Sequence, residues 1–362
     1  MKYIYSFLLS AFFLLITGCD TAQQPARGFE DEIFVFADSL EFEELKESLS
    51  QVFEKEIETP QPERLFTVRR ADITQLNNLK TFKNVVFIAP LNSGSQVSKY
   101  IETVLDSSAR EKMEQGEGAF ITRKDYWAKG QMMMIVTAKD MATLEYELLR
   151  NSDKLLYGFQ KASDERLKAG LMGSKFEDKQ AGAALLEKFD WTIYVQKDYK
   201  IAITDNQNKF AWIRRTPNTE LEIWIFIHWI DNADPSLLNK DSIYAIRSRI
   251  TEKYIRTSDD KDYVTVADSA YTVTETNFNG RYALLTQGLW HMTDKFMGGP
   301  FLSYTFYDES SRRIYMLDGS VYAPKYYKRN LIQQADVVLQ SFRLKSEMTE
   351  KEIKEKLSAL EK

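Results

Sequence analysis

The chain has 362 residues but only one cysteine and two histidines. A zinc or copper centre needs ligands of those types gathered at short spacing. His228 and His291 are far apart in sequence, and neither HExxH nor His-x-His occurs. One thiol cannot form an internal disulfide, so the folded part must stand on its core alone. No Walker A or dinucleotide fingerprint is present. The formal net charge is −5, with both signs interspersed and no basic stripe. That excludes nucleic acid as a partner class. After the first residues, no hydrophobic run is long enough to span a bilayer. The aromatic content of 13% implies a substantial core rich in strands.

The N-terminus reads as an address. Lys2 supplies a positive charge before the apolar run "IYSFLLSAFFLLI", which is too short for a spanning helix. The run ends in "ITGC", Ile16 to Cys19, which resembles a bacterial lipobox. The resemblance implies a signal peptide over 1–18, cleavage before Cys19 and acylation of its thiol, palmitate included. Cysteine catalysis is then excluded, and the membrane becomes a partner through the Cys19 lipid. "DTAQQPARGFE" follows, so 19–30 is expected to be a flexible tether. Roughly 340 residues remain, enough for one large or two ordinary domains.

The expected fold class is α+β. From Glu32, strand and helix patterns alternate: "EIFVFAD", a helix over Leu40–Ile57, "RLFTVRRA", "NVVFIAPL", a helix over Ser95–Met113, "AFITR", "QMMMIVTA", then a long helical stretch from Met141 to Met172. This predicts an N-terminal α/β-type subdomain over 31–175. The polar stretch "GSKFEDKQAG" marks the boundary. Residues 176–345 then read as a mainly antiparallel sheet covered by helices, with turn signals "TDNQN", "TPN", "NFNG" and "DESS" between β-rich runs. A charged C-terminal helix or tail, 346–362, opens with the capping-box pattern Thr349 to Glu352 and is expected to be exposed or frayed.

Most chemical signals have a plainer reading. "LNSGSQVS" lacks the first Gly of a nucleophile elbow, so Ser93 or Ser95 reads as a helix N-cap. "TSDDKDYVTVAD" lacks the later ligands and the Gly of a calcium loop. In "QMMMIV", alternation sends Met132 and Met134 to one face and Met133 to the other, which fits core rather than Cu(I) ligation. "LEIWIFIHWI" is apolar on both faces, so it predicts a central strand with His228 as a structural residue near its end. Trp212, Trp224 and Trp229 could form a sugar-stacking platform, but aromatic core is the better reading. No metal and no cofactor is expected.

The candidate binding loop lies in "GLWHMTDKFMGGPF", Gly288 to Phe301. Both flanks alternate as strands, and the connection from His291 to Pro300 looks too long for a tight hairpin. Trp290 is expected to be a buried anchor, with Phe296 and Phe301 pinning the loop. His291, Asp294 and Lys295 would form a partner-binding rim.

"DEIFVFADS", "DYWAKGQ" and above all the segment from Gly288 to Pro324 resemble the family of Gram-negative envelope lipoproteins catalogued as domain of unknown function 4837. The resemblance covers nearly the whole mature chain. It implies a lipoprotein and supplies no catalytic residues. The order of elements from Trp191 to Phe342 is similar, at the level of fold, to the Mog1/PsbP-like sandwich, whose members are mostly binding or assembly proteins. The expected function is therefore a lipid-anchored protein of the bacterial cell envelope with no catalytic role, binding an envelope protein or surface ligand. The alternative is an envelope-polymer hydrolase whose paired carboxylates are not visible in linear sequence.

Overall fold

Period-two and period-3.6 apolar patterns sort the chain into two large sheets and the helices that cover them. The computed structural model describes residues 23–114 and 119–361. The expected signal peptide and Cys19 lie outside the described residues.

The N-terminal half runs β1 (Glu32–Phe36), α1 (Ser39–Phe53), β2 (Glu56–Ile57), β3 (Glu63–Arg64), β4 (Thr67–Ala71), α2 (Leu76–Leu79), β5 (Asn84–Ile88), α3 (Gln96–Val104), α4 (Ser107–Glu114), β6 (Ala119–Lys124), β7 (Met132–Thr137), α5 (Met141–Arg150) and α6 (Ser152–Leu171). Its sheet has the order β4-β1-β5-β7-β6. The first four strands are parallel, and β6 is antiparallel to β7. Parallel strands need crossovers, so helices cover both faces. Phe42, Leu45 and Leu49 of α1 pack with Leu148 and Phe159 on one face. Val97 and Ile101 of α3 pack on the other. β7 divides as its alternation requires, Met132 and Met134 in the first core and Met133 in the second.

The C-terminal half runs α7 (Lys179–Phe189), β8 (Trp191–Thr192), β9 (Lys200–Asp205), β10 (Phe210–Asn218), β11 (Leu221–Ile230), α8 (Lys240–Tyr254), β12 (Val264–Phe278), β13 (Arg281–Met292), β14 (Gly298–Asp308), β15 (Arg313–Tyr322), α9 (Arg329–Leu339), β16 (Arg343–Leu344) and α10 (Glu350–Leu357). Seven strands form an antiparallel sheet in the order β12-β13-β14-β15-β11-β10-β9. β11 is interior to it, between β15 and β10. Ile223, Ile225, Ile227 and Trp229 enter the core beneath α7 and α9. Trp224 and Phe226 enter the core beneath α8. The architecture is α+β, with helices on both sides of an antiparallel sheet.

Several local expectations are corrected. α1 ends at Phe53, and Ile57 instead pairs with Glu63 in a short ribbon. The helix expected through Met113 breaks at Leu105, whose backbone is extended and whose side chain packs on the core. The stretch from Met141 breaks at Asn151, whose Nδ2 donates to the Glu147 carbonyl at 2.9 Å and competes with the helix pattern. In "WTIYVQ", only Trp191 and Thr192 join a ladder. The described part of the expected tether is docked. Pro25 bridges Lys129, Arg27 bridges Phe82, and Glu30 pairs with Lys83 at 2.9 Å and Arg166 at 2.8 Å. α10 is also held, through Lys356–Glu177 at 2.6 Å and Arg343–Glu352 at 2.9 Å, with its Thr349–Glu352 capping box formed.

Candidate functional site

The segment first marked by sequence is shorter and more regular than expected. β13 continues through His291 and Met292, and His291 pairs with Gly298 in β14. The connection is thus only residues 293–297, and the Met292 N–H donates to Met297 O at 2.9 Å. Trp290 is 1% exposed, tilts against Trp224 with ring centroids 4.7 Å apart, and donates from Nε1 to Val321 O at 3.2 Å. His291 bonds through Nδ1 to Met292 O at 2.7 Å. Asp294 accepts the Phe296 N–H at 2.9 Å, and Lys295 takes the left-handed conformation that closes the turn. Phe296 does not pin the loop: it is 85% exposed. Gly298 and Gly299 are required by crowding rather than by unusual dihedrals, since a Cβ on Gly299 would lie 1.9 Å from Val321 O.

A larger feature lies at the other end of the sheet. α8 sets Ser242, Ala245, Ile246, Arg249, Ile250 and Lys253 along one wall of a surface cleft of about 730 Å³. Their spacing is that of a single helix face. Lys209, His228, Ile230 and Asp231 of the β10–β11 end form the facing wall, with Leu237. Asn239 starts the helix by capping Ser242 N at 3.0 Å. Asp231 is spoken for by Lys209 at 3.0 Å and Arg313 at 2.6 Å. Arg249 and Lys253 have no ion-pair partner among the described residues.

His228 is 5% exposed, and its Nδ1 lies 2.8 Å from Lys209 O. A carbonyl only accepts, so Nδ1 carries the proton and Nε2 presents a bare lone pair. Burial lowers the imidazole pKa to about 4, and the charge of Arg249 adds to that lowering. The ring is therefore neutral near pH 7. Nε2 is buried without a partner among the described residues. Among the described residues, no serine, threonine or carboxylate bonds to it.

A second cleft, of about 540 Å³, is lined by Asp190, Asp308, Ser311, Arg313 and Lys345. Its two carboxylates are engaged. Lys345 pairs with Asp190 at 3.1 Å. Burial pushes the Asp308 pKa up, but bonds from Ser311 and Ser310 outweigh it and hold the group below the ordinary range. Tyr315, on the same cleft, is pushed the other way by burial, which holds its phenol protonated.

The buried ionic groups are structural. Arg247 and Asp318, 1% and 0% exposed, pair at 2.7 Å beneath α8, and Arg247 lies over the Phe301 ring at 3.7 Å. Ser320 donates to Asp318 at 2.9 Å. Between the halves, Glu63 accepts the N–H groups of Lys328 at 2.8 Å and Arg329 at 2.8 Å, so a side chain from β3 caps α9. Gln333 of α9 reaches Asp164 of α6 at 2.6 Å, and Tyr304 donates to Asp336 at 2.8 Å.

Other candidates resolve into structure. Ser95 caps α3 through Ser98 N at 3.1 Å, and Ser93 donates to Glu41 at 2.6 Å. In the acidic loop, Asp259 accepts from Thr257 at 2.6 Å and Asp262 accepts from Thr293 at 2.7 Å. Among the described residues, no group of three or more His, Cys, Asp or Glu is placed to hold a metal. Trp212, Trp224 and Trp229 are all buried, and Trp229 faces the opposite core from Trp224, so they form no platform. The α8 cleft was missed in the sequence. Its one local trace is Arg249 and Lys253 at i and i+4, a like-charge pair that disfavours a helix.

Two family models match separate stretches of the chain. Residues 178–341 match the family model described as domain of unknown function DUF4837. Residues 26–171 match another, DUF8532. The DUF4837 match is thus narrower than the resemblance suggested: "DEIFVFADS" and "DYWAKGQ" fall in the second match. No curated protein matches the chain in sequence. Among solved structures, the chain is similar to the Saccharomyces cerevisiae Ran-binding protein Mog1p, at 10% identity and TM-score 0.29, over 43% of this chain and 90% of that one. It is similar to LpqN of Mycobacterium tuberculosis, described as involved in cell envelope biogenesis, at 11% identity and TM-score 0.27, over 42% of this chain and 82% of that one. No residue's role is transferred from either. Residues 26–171 are thus similar to the DUF8532 model and residues 178–341 to the DUF4837 model.

Proposed function

We propose that this chain is a lipid-anchored protein of the cell envelope that binds a ligand or partner without transforming it. Anchoring rests on the sequence alone: Lys2, the apolar run and Cys19 at the end of "ITGC". The division at about residue 175 belongs to the same reading, with each half built on its own sheet.

The observation that carries the binding reading is the α8 cleft. Its size lies within the ~300–1,000 Å³ common for small-molecule sites. It offers cations, apolar side chains and a neutral histidine, and among the described residues no hydroxyl or carboxylate bonds to Nε2 of that histidine. The hairpin is a secondary contact surface in this reading. Asp294 and Lys295 lie at its turn, beside the exposed Phe296, while His291 stands at the end of β13 and Trp290 is its buried anchor.

The test incubates the full chain with detergent-solubilised envelope extract from its host, recovers the protein, and follows the released molecules by mass spectrometry. A species held at about one per chain and returned unchanged is expected. Time-dependent conversion of that species by the chain would contradict the reading and restore the hydrolase alternative.

A further inference from the structure

The geometry points to a single-chain phospholipid with a hydroxyl-bearing phosphate headgroup as the occupant of the α8 cleft. The inference rests on the binding reading above and names its ligand class.

Arg249 and Lys253 are exposed, one helical turn apart, and form no ion pair among the described residues; Lys253 lies over the Tyr254 ring at 5.1 Å, and its charge is felt at Asp205. The other charges on the cleft, Lys209 and Asp231, neutralise each other at 3.0 Å. The cleft thus presents two cations to an incoming ligand. Like charges at i and i+4 weaken a helix, and a phosphate shared between them turns that repulsion into two charge-assisted hydrogen bonds. Arginine suits this task because its planar fork matches phosphate oxygens.

His228 adds a second requirement. Its Nδ1–H is committed to Lys209 O, which leaves Nε2 as an acceptor without a donor. A buried acceptor left unpaired is costly. A phosphate alone supplies mainly acceptors, whereas a glycerol hydroxyl supplies the donor. The apolar requirement comes from Ile246, Ile250, Ile230 and Leu237 on the same cleft. A soluble phosphate ester leaves these uncovered, and one acyl chain covers them.

The full chain is titrated calorimetrically with monomeric lysophosphatidylglycerol, kept below its micelle concentration. One saturable site is expected. Arg249→Ala with Lys253→Ala should weaken it by about tenfold or more. Both side chains are exposed and repel each other, so the thermal midpoint of the free variant should equal or slightly exceed that of the parent. Glycerol 1-phosphate and dodecyl maltoside should each bind far more weakly than the lysolipid. Equal affinity in parent and double variant overturns the inference, as does no binding of the lysolipid. Glycerol 1-phosphate binding as tightly as the lysolipid would assign the cleft to a soluble ester. Dodecyl maltoside binding as tightly would leave only an apolar groove. If envelope extract still yields a ligand returned unchanged while the lysolipid fails, this inference falls and the binding reading stands.

Discussion

Asp336 shows how one side chain carries the meeting of the two halves. It sits on α9, bonded to Tyr304 and close to Asp164 of α6. Burial, with the charge of Asp164 and against the bonds from Tyr304 and Gln340, raises its pKa to about 6. Asp164 is itself shifted upward by burial. The folded state therefore keeps a proton that the unfolded chain has released, so stability contributed below about pH 4 is lost as pH rises through about 6. Asp336→Asn retains an acceptor for Tyr304 and removes the titration. Urea midpoints measured from pH 4 to 7 should show the parent losing on the order of 2 kcal/mol relative to the variant across that window, then running parallel. Parallel profiles throughout would show that Asp336 is ionised in the native state. Nothing in "ADVVLQSF" announced this role. The spacing showed an inward face, but burial of the carboxylate depends on α6, which is distant in sequence.

At the scale of elements, the helix caps divide into legible and illegible ones. Asp38, Ser95, Asp140, Asn239 and Thr349 each cap the helix that follows them, and such local caps are written in the chain. α9 has no side-chain cap from its own N-cap residue. Glu63 supplies it from the other half. Its carboxylate meets two free N–H groups at the positive end of the helix, where an anion is favoured. Glu63→Ala should cost about 1–3 kcal/mol and speed amide exchange at Lys328 and Arg329, while Glu63→Gln should cost less. No change in exchange at those two amides would show that the cap is dispensable. The hairpin carries the same lesson in reverse. Its strands were legible from alternation, but the pairing of His291 with Gly298 was not, because it depends on how β15 crowds Gly299.

For the whole molecule, sequence patterns resolved the fold class, both faces of β11, the split methionines and most strand positions, because these follow from local period. They did not reveal the α8 cleft. That feature needs the end of β11, the turn before β10 and one face of α8 brought together across the sheet. The residues most conspicuous in sequence, Trp290 and His291, lie in a paired strand, and the unpaired cations lie inside an ordinary helix pattern. The central claim is that the C-terminal half binds a single-chain phospholipid through this cleft. Hydrogen–deuterium exchange of the full chain, with and without saturating lysophosphatidylglycerol, tests it most directly. The account predicts slower exchange concentrated in α8, residues 240–254, and in the turn at residues 207–209, with the hairpin at 293–297 unchanged. Protection confined to that hairpin, or none in α8, would contradict it.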